Sequence, residues 1–287
     1  MQIKYGFKKE WLLSLRTFRL FGIIITMFSF ALADPLMYKL LAVMMDYMGT
    51  EFSTMEGMDA AMAEATGAMG QMAGLFNDAG LIFSVCMTEF CMTGLIIVML
   101  LLMAPAGGEQ KKRSTIIPAC SGLKFFNYLV PKFVMYPAIV FITTFLASMT
   151  AGGLCNVLFV ENQISFGVMA LESIMCATFI LFVISIYFCV GLCTSRPGIA
   201  TIFIYIGMNL VDLILTNLKL TKFHPFALRS LISTGEMVYD DFEMSEHAAS
   251  IAVGIALSFV IAAVMFFLTN AVLGAKKINN QEDKPEF

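Results

Sequence analysis

Residues 167–192 read GVMALESIMCATFILFVISIYFCVGL, twenty-six residues with one charged side chain, Glu172. About 20 apolar residues cross a bilayer as a helix. In lipid, an unbroken run of this length satisfies its backbone polar groups internally only as a helix. Five further runs of the same kind occupy 15–37, built on FGIIITMFSFALA, then 81–103, 133–154, 198–218 and 250–273. The alternation of ~10-residue segments that marks a membrane barrel is absent. The expected fold is therefore all-α and integral to a membrane, with six transmembrane helices in a single domain over 1–287.

Composition supports this reading and removes others. Of 287 residues, 59% are hydrophobic and 14% charged, against roughly 45–50% and about 25% in an average soluble domain. The mean hydropathy is +0.83. Disordered, collagen-like and nucleic-acid-binding chains are excluded by the same figures, the last also by a net charge of −3. The seven cysteines, an odd number lying mostly in apolar runs, do not describe a disulfide framework.

Basic residues set the orientation. Fourteen of the 18 fall on one side: Lys4, Lys8, Lys9, Arg16 and Arg19 before the first span, Lys111, Lys112, Arg113, Lys124 and Lys132 between spans two and three, Arg196, and Lys276, Lys277 and Lys284 in the tail. The other side carries Asp46, Glu51, Glu56, Asp59, Glu64 and Asp78. The positive-inside rule places both termini in the cytoplasm, as an even number of spans requires. Ala31-Leu32-Ala33 before Asp34-Pro35 has the form of a signal-peptide cleavage site. The long basic leader and the span count argue for an uncleaved first span.

Residues 3–19 place Phe7, Trp11, Leu15 and Phe18 at helical spacing beside Lys8, Lys9, Arg16 and Arg19. Such a helix would lie along the membrane surface, with Trp11, Arg16 and Arg19 at headgroup depth; the competing reading is that it begins the first span. The outer segment 44–78 is rich in Met, Ala and acid. Thioethers select Cu(I), but no His or Cys accompanies these methionines, and an amphipathic helix is the expected reading. The outer segment 218–248 places Pro225 at a helix start and Gly235 at its stop, a short helix expected to re-enter the membrane edge. His224 and His247 are the only histidines, too few for a catalytic or metal constellation.

No phosphate loop, HExxH or GxSxG pattern is present, and no enzyme is expected. Cys86/Cys91 and Cys189/Cys193 do not have structural zinc spacing; packed core thiols are expected. Ionisable residues inside spans point to function. Glu89 falls ~12 Å below the outer end of span two and Asp212 ~9 Å below that of span five at helical rise, with Glu172 near the outer start of span four. All three are candidates for an outward-facing substrate pathway.

The segment 107–136, GGEQKKRSTIIPACSGLKFFNYLVPKFVMY, is dense in charge and patterned. Ser114-Thr115 suits a helix N-cap, an apolar stretch 116–123 follows, and Lys132 marks the start of span three. An ordinary basic loop obeying the orientation rule is the competing reading.

This order of parts resembles the permease subunits of type-2 ABC exporters. Their early signature is matched by Lys9-Glu10, Arg16 and Asp34-Pro35. Their second is matched by Glu109-Gln110, 111–113, Thr115 and Lys132, with Ser114 where Gly is usual. The His224-Pro225-Phe226 loop is similar to their outer re-entrant region. The resemblance implies a multi-pass subunit in a bacterial plasma membrane, as a homodimer or paired permease. It also implies a separate ATP-binding partner that carries ATP and Mg, this chain having no cofactor of its own. The cytoplasmic coupling segment would then be 105–132, with Glu109, Lys112, Arg113 and Thr115 at the ATPase contact. The alternatives are an ion-coupled secondary transporter or channel using Glu89 and Asp212, or a membrane scaffold that transports nothing.

Overall fold

The computed structural model describes residues 2–53, 77–108, 125–194, 196–220, 222–239, 242 and 244–282. Six helices long and apolar enough to cross a membrane occupy Arg19–Tyr47, Ala79–Leu101, Phe126–Leu158, Phe166–Thr194, Pro197–Asn217 and Met244–Gly274. The described residues contain no strand beyond one isolated bridge, Asp78 to Glu161. The all-α, six-span expectation is met.

The N-terminal helix is separate from the first span but buries a different face from the expected one. Helix α1 (Gln2–Arg16) ends where Thr17 Oγ1 donates to the Leu13 carbonyl at 2.6 Å and Phe18 turns left-handed at φ 55°. Helix α2 (Arg19–Ser53) then starts afresh, so α1 is a helix of its own. The stripe that α1 buries is Gly6, Glu10 and Ser14. A Cβ on Gly6 would lie 2.9 Å from Pro131 Cγ, and both polar side chains are buried. Trp11 stays exposed, although Phe7 of the expected apolar face does pack against the core.

Helix α2 runs through Pro35 and on past 37, the expected end of the first span. A proline removes one ladder bond, and in a spanning helix neighbours make up for it. The first ten residues of the expected outer segment 44–78 therefore continue α2, because Ala42, Met44, Met45 and Met48 are good helix formers. Residues 54–76 lie outside the described residues, and the expectation for those methionines with them.

Span two consists of α3 (Ala79–Glu89), a π-helical turn (Phe90–Gly94) and α4 (Leu95–Leu101). Asp78 caps α3 by accepting from Leu81 N at 2.9 Å. The same carboxylate accepts from Asn162 Nδ2 at 2.7 Å and from the Tyr239 hydroxyl at 3.4 Å, which ties together three segments at one end of the bundle. Burial and the Asp78 charge push the Tyr239 phenol above its ordinary pKa.

A second π turn (Ala104–Gly108) ends span two. Span three, α5 (Phe125–Leu158), starts eight residues before its expected position and contains Pro131 and Pro137. Lys132 therefore lies inside a helix. Of the expected coupling segment 105–132, the two ends belong to these elements, and 109–124 lies outside the described residues.

The stretch quoted first forms most of α6 (Phe166–Thr194), the centre of the fold. In its most apolar window 83% of residues are buried, against 17% for α7 (Pro197–Asn217) and 17% for α9 (Met244–Glu282). A helix apolar all round is buried all round, and α6 packs against α5, α7, α9 and the short α8 (Pro225–Thr234). The bounds of α8 are those that Pro225 and Gly235 set. His224 Nδ1 accepts from Ala227 N at 3.0 Å and Gly235 closes the helix at φ 65°.

Gly191 of α6 lies against the Ala106 carbonyl, so that an added Cβ would collide with backbone. Gly153 of α5 faces open space within 4 Å. Gly191→Ala is expected to cost about 1–3 kcal/mol by overpacking. Gly153→Ala should instead stabilise its helix by roughly 0.5–1 kcal/mol. Thermal unfolding midpoints of the two variants in detergent should therefore move in opposite directions, and equal shifts would refute the close approach.

Candidate functional site

Polar side chains inside this bundle fall into two kinds, those fastened to a partner and those left open. The best-fastened group joins α1 to α5. On α5, Tyr128, Lys132 and Tyr136 recur every fourth residue and share one face. That face meets Glu10. Lys132 is 0% exposed and Glu10 1%. Lys132 Nζ lies 3.5 Å from Glu10 Oε1 and donates to the Pro105 carbonyl at 3.2 Å. The Tyr136 hydroxyl donates to Glu10 Oε2 at 3.2 Å. Lys132 also sits 4.9 Å over the Tyr128 ring, with Lys9 at 5.5 Å.

An ammonium ion buried this completely needs partners on every side. It finds them in three separate stretches: α1, the π turn that ends span two, and α5 itself. The latter two bracket 109–124. Glu109, Lys112, Arg113 and Thr115 lie within that segment, outside the described residues. Of the expected membrane-surface residues, Trp11 and Arg16 are exposed on α1 and Arg19 is partly buried.

The three expected pathway acids are placed apart. Asp212 of α7 pairs with Arg229 of α8, Oδ2 to Nη1 at 3.4 Å, and Arg229 Nη2 donates to Asn209 Oδ1 at 3.1 Å. It anchors α8 to span five. Glu172 of α6 is 0% exposed, and neither carboxyl oxygen has a hydrogen-bond partner among the described residues. Glu89 ends α3, ten residues from its start, or ~15 Å along a helix, about half of a ~30 Å hydrocarbon core. It is deeper than expected, because span two begins at Ala79. Thr93 Oγ1, within the π turn, donates to Glu89 Oε2 at 2.8 Å. Glu89 and Asp212 belong to different clusters.

A further buried acid, which sequence reading treated only as part of a motif, lies on α2. Asp34, at the middle of the span Arg19–Tyr47, is 9% exposed and its Oδ2 has no hydrogen-bond partner. Helix α2 packs against span two at this level, where Phe30 lies 6.4 Å from Phe90. On α2, Met27, Ala31, Asp34 and Tyr38 fall on one helical face, a spacing that could have singled out Asp34.

No family model, curated protein or solved structure matches this chain. The site's chemistry has to be read from its own atoms.

Five of the cysteines are buried and one partly so. Their close contacts are not the sequence-adjacent ones alone: Cys91 Sγ lies 3.6 Å from Cys176 Sγ across two spans. Among the described residues no group of three His, Cys, Asp or Glu side chains is positioned to hold a metal ion. His224 caps α8, and His247 stacks on Phe242 at 4.9 Å. A cavity of about 640 Å³ opens between α6 and α7, lined by Val190, Thr194, Arg196 and Phe203 among others. It contains none of the acids.

Removing one partner of a buried ion pair leaves the other uncompensated, typically costing about 3–5 kcal/mol. Glu10→Gln and Lys132→Met should each lower stability by that order. The double variant should lose clearly less than the sum, since neither charge is then stranded. A double-mutant cycle on thermal stability measures the coupling, and strict additivity would show that the pair does not act as one.

Proposed function

We propose that this chain is the membrane-spanning permease subunit of a type-2 ABC exporter in a bacterial plasma membrane, driven by a separate ATPase. The observation that carries the reading is Lys132. Its buried contacts tie α1, the end of span two and the start of span three around residues 109–124. A displacement imposed on that segment would pass directly into two spans and α1. The succession of parts supports the same reading: a separate helix before six spans, and the short α8 between spans five and six.

In this reading both termini are cytoplasmic and α1 lies along the inner membrane surface, with Trp11 at headgroup depth. Two copies, or this chain and a related permease, enclose the pathway. ATP and Mg are bound and turned over by the partner. Glu109, Lys112, Arg113 and Thr115 contact that partner, and its closure on ATP switches the spans between inward- and outward-facing forms. Nothing in this chain performs the hydrolysis.

A second reading, ion-coupled secondary transport, draws on the carboxylates at mid-membrane. It rests on Glu89 and not on Asp212, whose charge Arg229 already balances. Transport would then proceed without ATP.

The discriminating experiment purifies tagged full-length chain from its native membranes and measures Mg-dependent ATP hydrolysis in the preparation. Glu109→Lys and Arg113→Glu should each reduce the associated activity at least about tenfold, the effect of ~1.4 kcal/mol of lost affinity. Membrane insertion and the unfolding midpoint should stay unchanged. If both variants retain the ATPase, the coupling assignment is wrong; if wild-type chain transports without any ATPase, the second reading replaces the first.

A further inference from the structure

Arg196 is the one charged side chain between Glu172 and Asp212. It is exposed at the turn from α6 to α7. Its guanidinium forms no ion pair among the described residues, where the paired cations are Lys9, Lys132 and Arg229. Beside it opens the cavity of about 640 Å³ between α6 and α7, within the range of roughly 300–1,000 Å³ typical of small-molecule sites. No acid among the described residues lines it, so the cavity carries an uncompensated positive charge.

The cavity is graded from charge to hydrocarbon. Arg196 holds the position just before α7, and Ile199, Ala200 and Phe203 follow three, four and seven residues on, the spacing of one helix face. That stripe covers ~10 Å along the axis, with the cation at the helix end and only apolar side chains beyond it. Val190 of α6 supplies part of the facing wall. Ile199 is exposed and Phe203 is 70% exposed, on a helix whose most apolar window is only 17% buried, so the cavity opens toward lipid. Thr194 is committed to the turn itself. Its Oγ1 donates to the Val190 carbonyl at 2.7 Å and accepts from Arg196 N at 3.4 Å. The backbone of Arg196 is thereby held, and its guanidinium is left to bind.

Neighbouring contacts place the cavity at the end of the bundle where span two finishes. A Cβ on Gly198 would lie 3.0 Å from Met103 Cε, and Gly191 lies against the Ala106 carbonyl. In the proposed orientation this end is cytoplasmic, the side whose leaflet carries anionic lipid. A guanidinium presents a planar fork of N–H donors that matches phosphate. A free phosphate ion would leave the apolar wall unused, and an uncharged lipid would leave Arg196 unused. A zwitterionic lipid brings its own cation for its phosphate. An anionic phospholipid uses both parts of the cavity.

We propose that this cavity binds an anionic phospholipid, its phosphate on Arg196 and one acyl chain along Ile199, Ala200 and Phe203. The bound lipid would brace the sparsely packed α7 against α6. Only the leaflet that supplies the lipid rests on the orientation proposed above; the site itself needs neither ATP nor a partner subunit.

The test uses full-length chain in dodecyl maltoside micelles doped with equal mole fractions of phosphatidylglycerol and phosphatidylcholine. Neither ATP nor an ATPase is present, so the outcome is independent of the transporter reading. Retained lipid is counted by native mass spectrometry. Wild-type chain should keep one phosphatidylglycerol about fivefold over phosphatidylcholine, the equivalent of ~1 kcal/mol for one cation at the headgroup surface. Arg196→Gln should lose that preference while its unfolding midpoint without added lipid stays unchanged. Arg196→Lys, which keeps the charge, should retain part of it. Phe203→Asn, on the exposed apolar wall, should also lower the retained phosphatidylglycerol. Lys222→Gln removes an exposed cation beyond the far end of α7 and should match wild type. Equal retention of the two lipids by wild type, or a preference that survives Arg196→Gln, overturns the proposal. An equal loss in Lys222→Gln does so too, as an effect of net charge alone, and full retention in Phe203→Asn removes the acyl chain from the cavity. Displacement of the lipid by inorganic phosphate, but not by chloride at the same ionic strength, would make the site one for a free anion and likewise overturn it.

Discussion

A lysine whose ammonium group is sealed from water dictates the arrangement of everything near it. Lys132 is satisfied by a carboxylate from α1, a carbonyl from the end of span two and an aromatic face of its own helix. None of these can be withdrawn without stranding a charge. Docking α1 against α5 requires the chain to break before α2, and the left-handed turn at Phe18 makes that break. Delivering the Pro105 carbonyl requires span two to finish in a distorted turn, which Gly107 allows at φ 139° and Gly191 accommodates by lacking a side chain. A buried ion pair adds little net stability compared with a well-packed apolar pair. Its effect here is to select one arrangement of three separate chain segments.

The opposite end of the bundle uses charge in the same way. Asp78 caps α3 while holding Asn162 and Tyr239. Asp212 and Asn209 hold Arg229 and with it α8. By contrast, the buried or half-buried carboxylates Asp34, Glu89 and Glu172 have no cationic partner among the described residues. Glu172 is the more enclosed case, surrounded by protein and without any hydrogen bond among the described residues.

Much of the fold was legible in the sequence because lipid leaves a long apolar run few choices. The spans built on 167–192 and 198–218 lie within a few residues of their expected bounds, and Pro225 and Gly235 delimit α8 as helix signals should. What was not legible depends on partners distant in sequence. Lys132 looked like a marker at a membrane boundary because a lone lysine carries no sign of a glutamate 122 positions earlier. The first span was expected to stop at 37, since local propensity does not reveal that α2 continues to Ser53. Asp212 and Glu89 were both expected to line a pathway, and only the position of Arg229 shows that Asp212 is already paired. Asp34 was hidden by its role in a motif, although its spacing from Met27 and Tyr38 placed it on an inward face.

The unequal enclosure of the spans bears on how this sequence can drift over generations. Helix α6 is surrounded on all sides, so nearly every change of side-chain volume along it must be absorbed by α5, α7, α8 or α9. Along α7 and α9 few side chains are buried in the rest of the chain, and at the exposed positions leucine, isoleucine, valine and phenylalanine are interchangeable as far as this chain's own packing is concerned. Substitutions should accumulate quickly on those outer faces and slowly on the inner helix. Any outer position that nevertheless stays fixed would then mark contact with another molecule, because the fold itself gives it no reason to be constant.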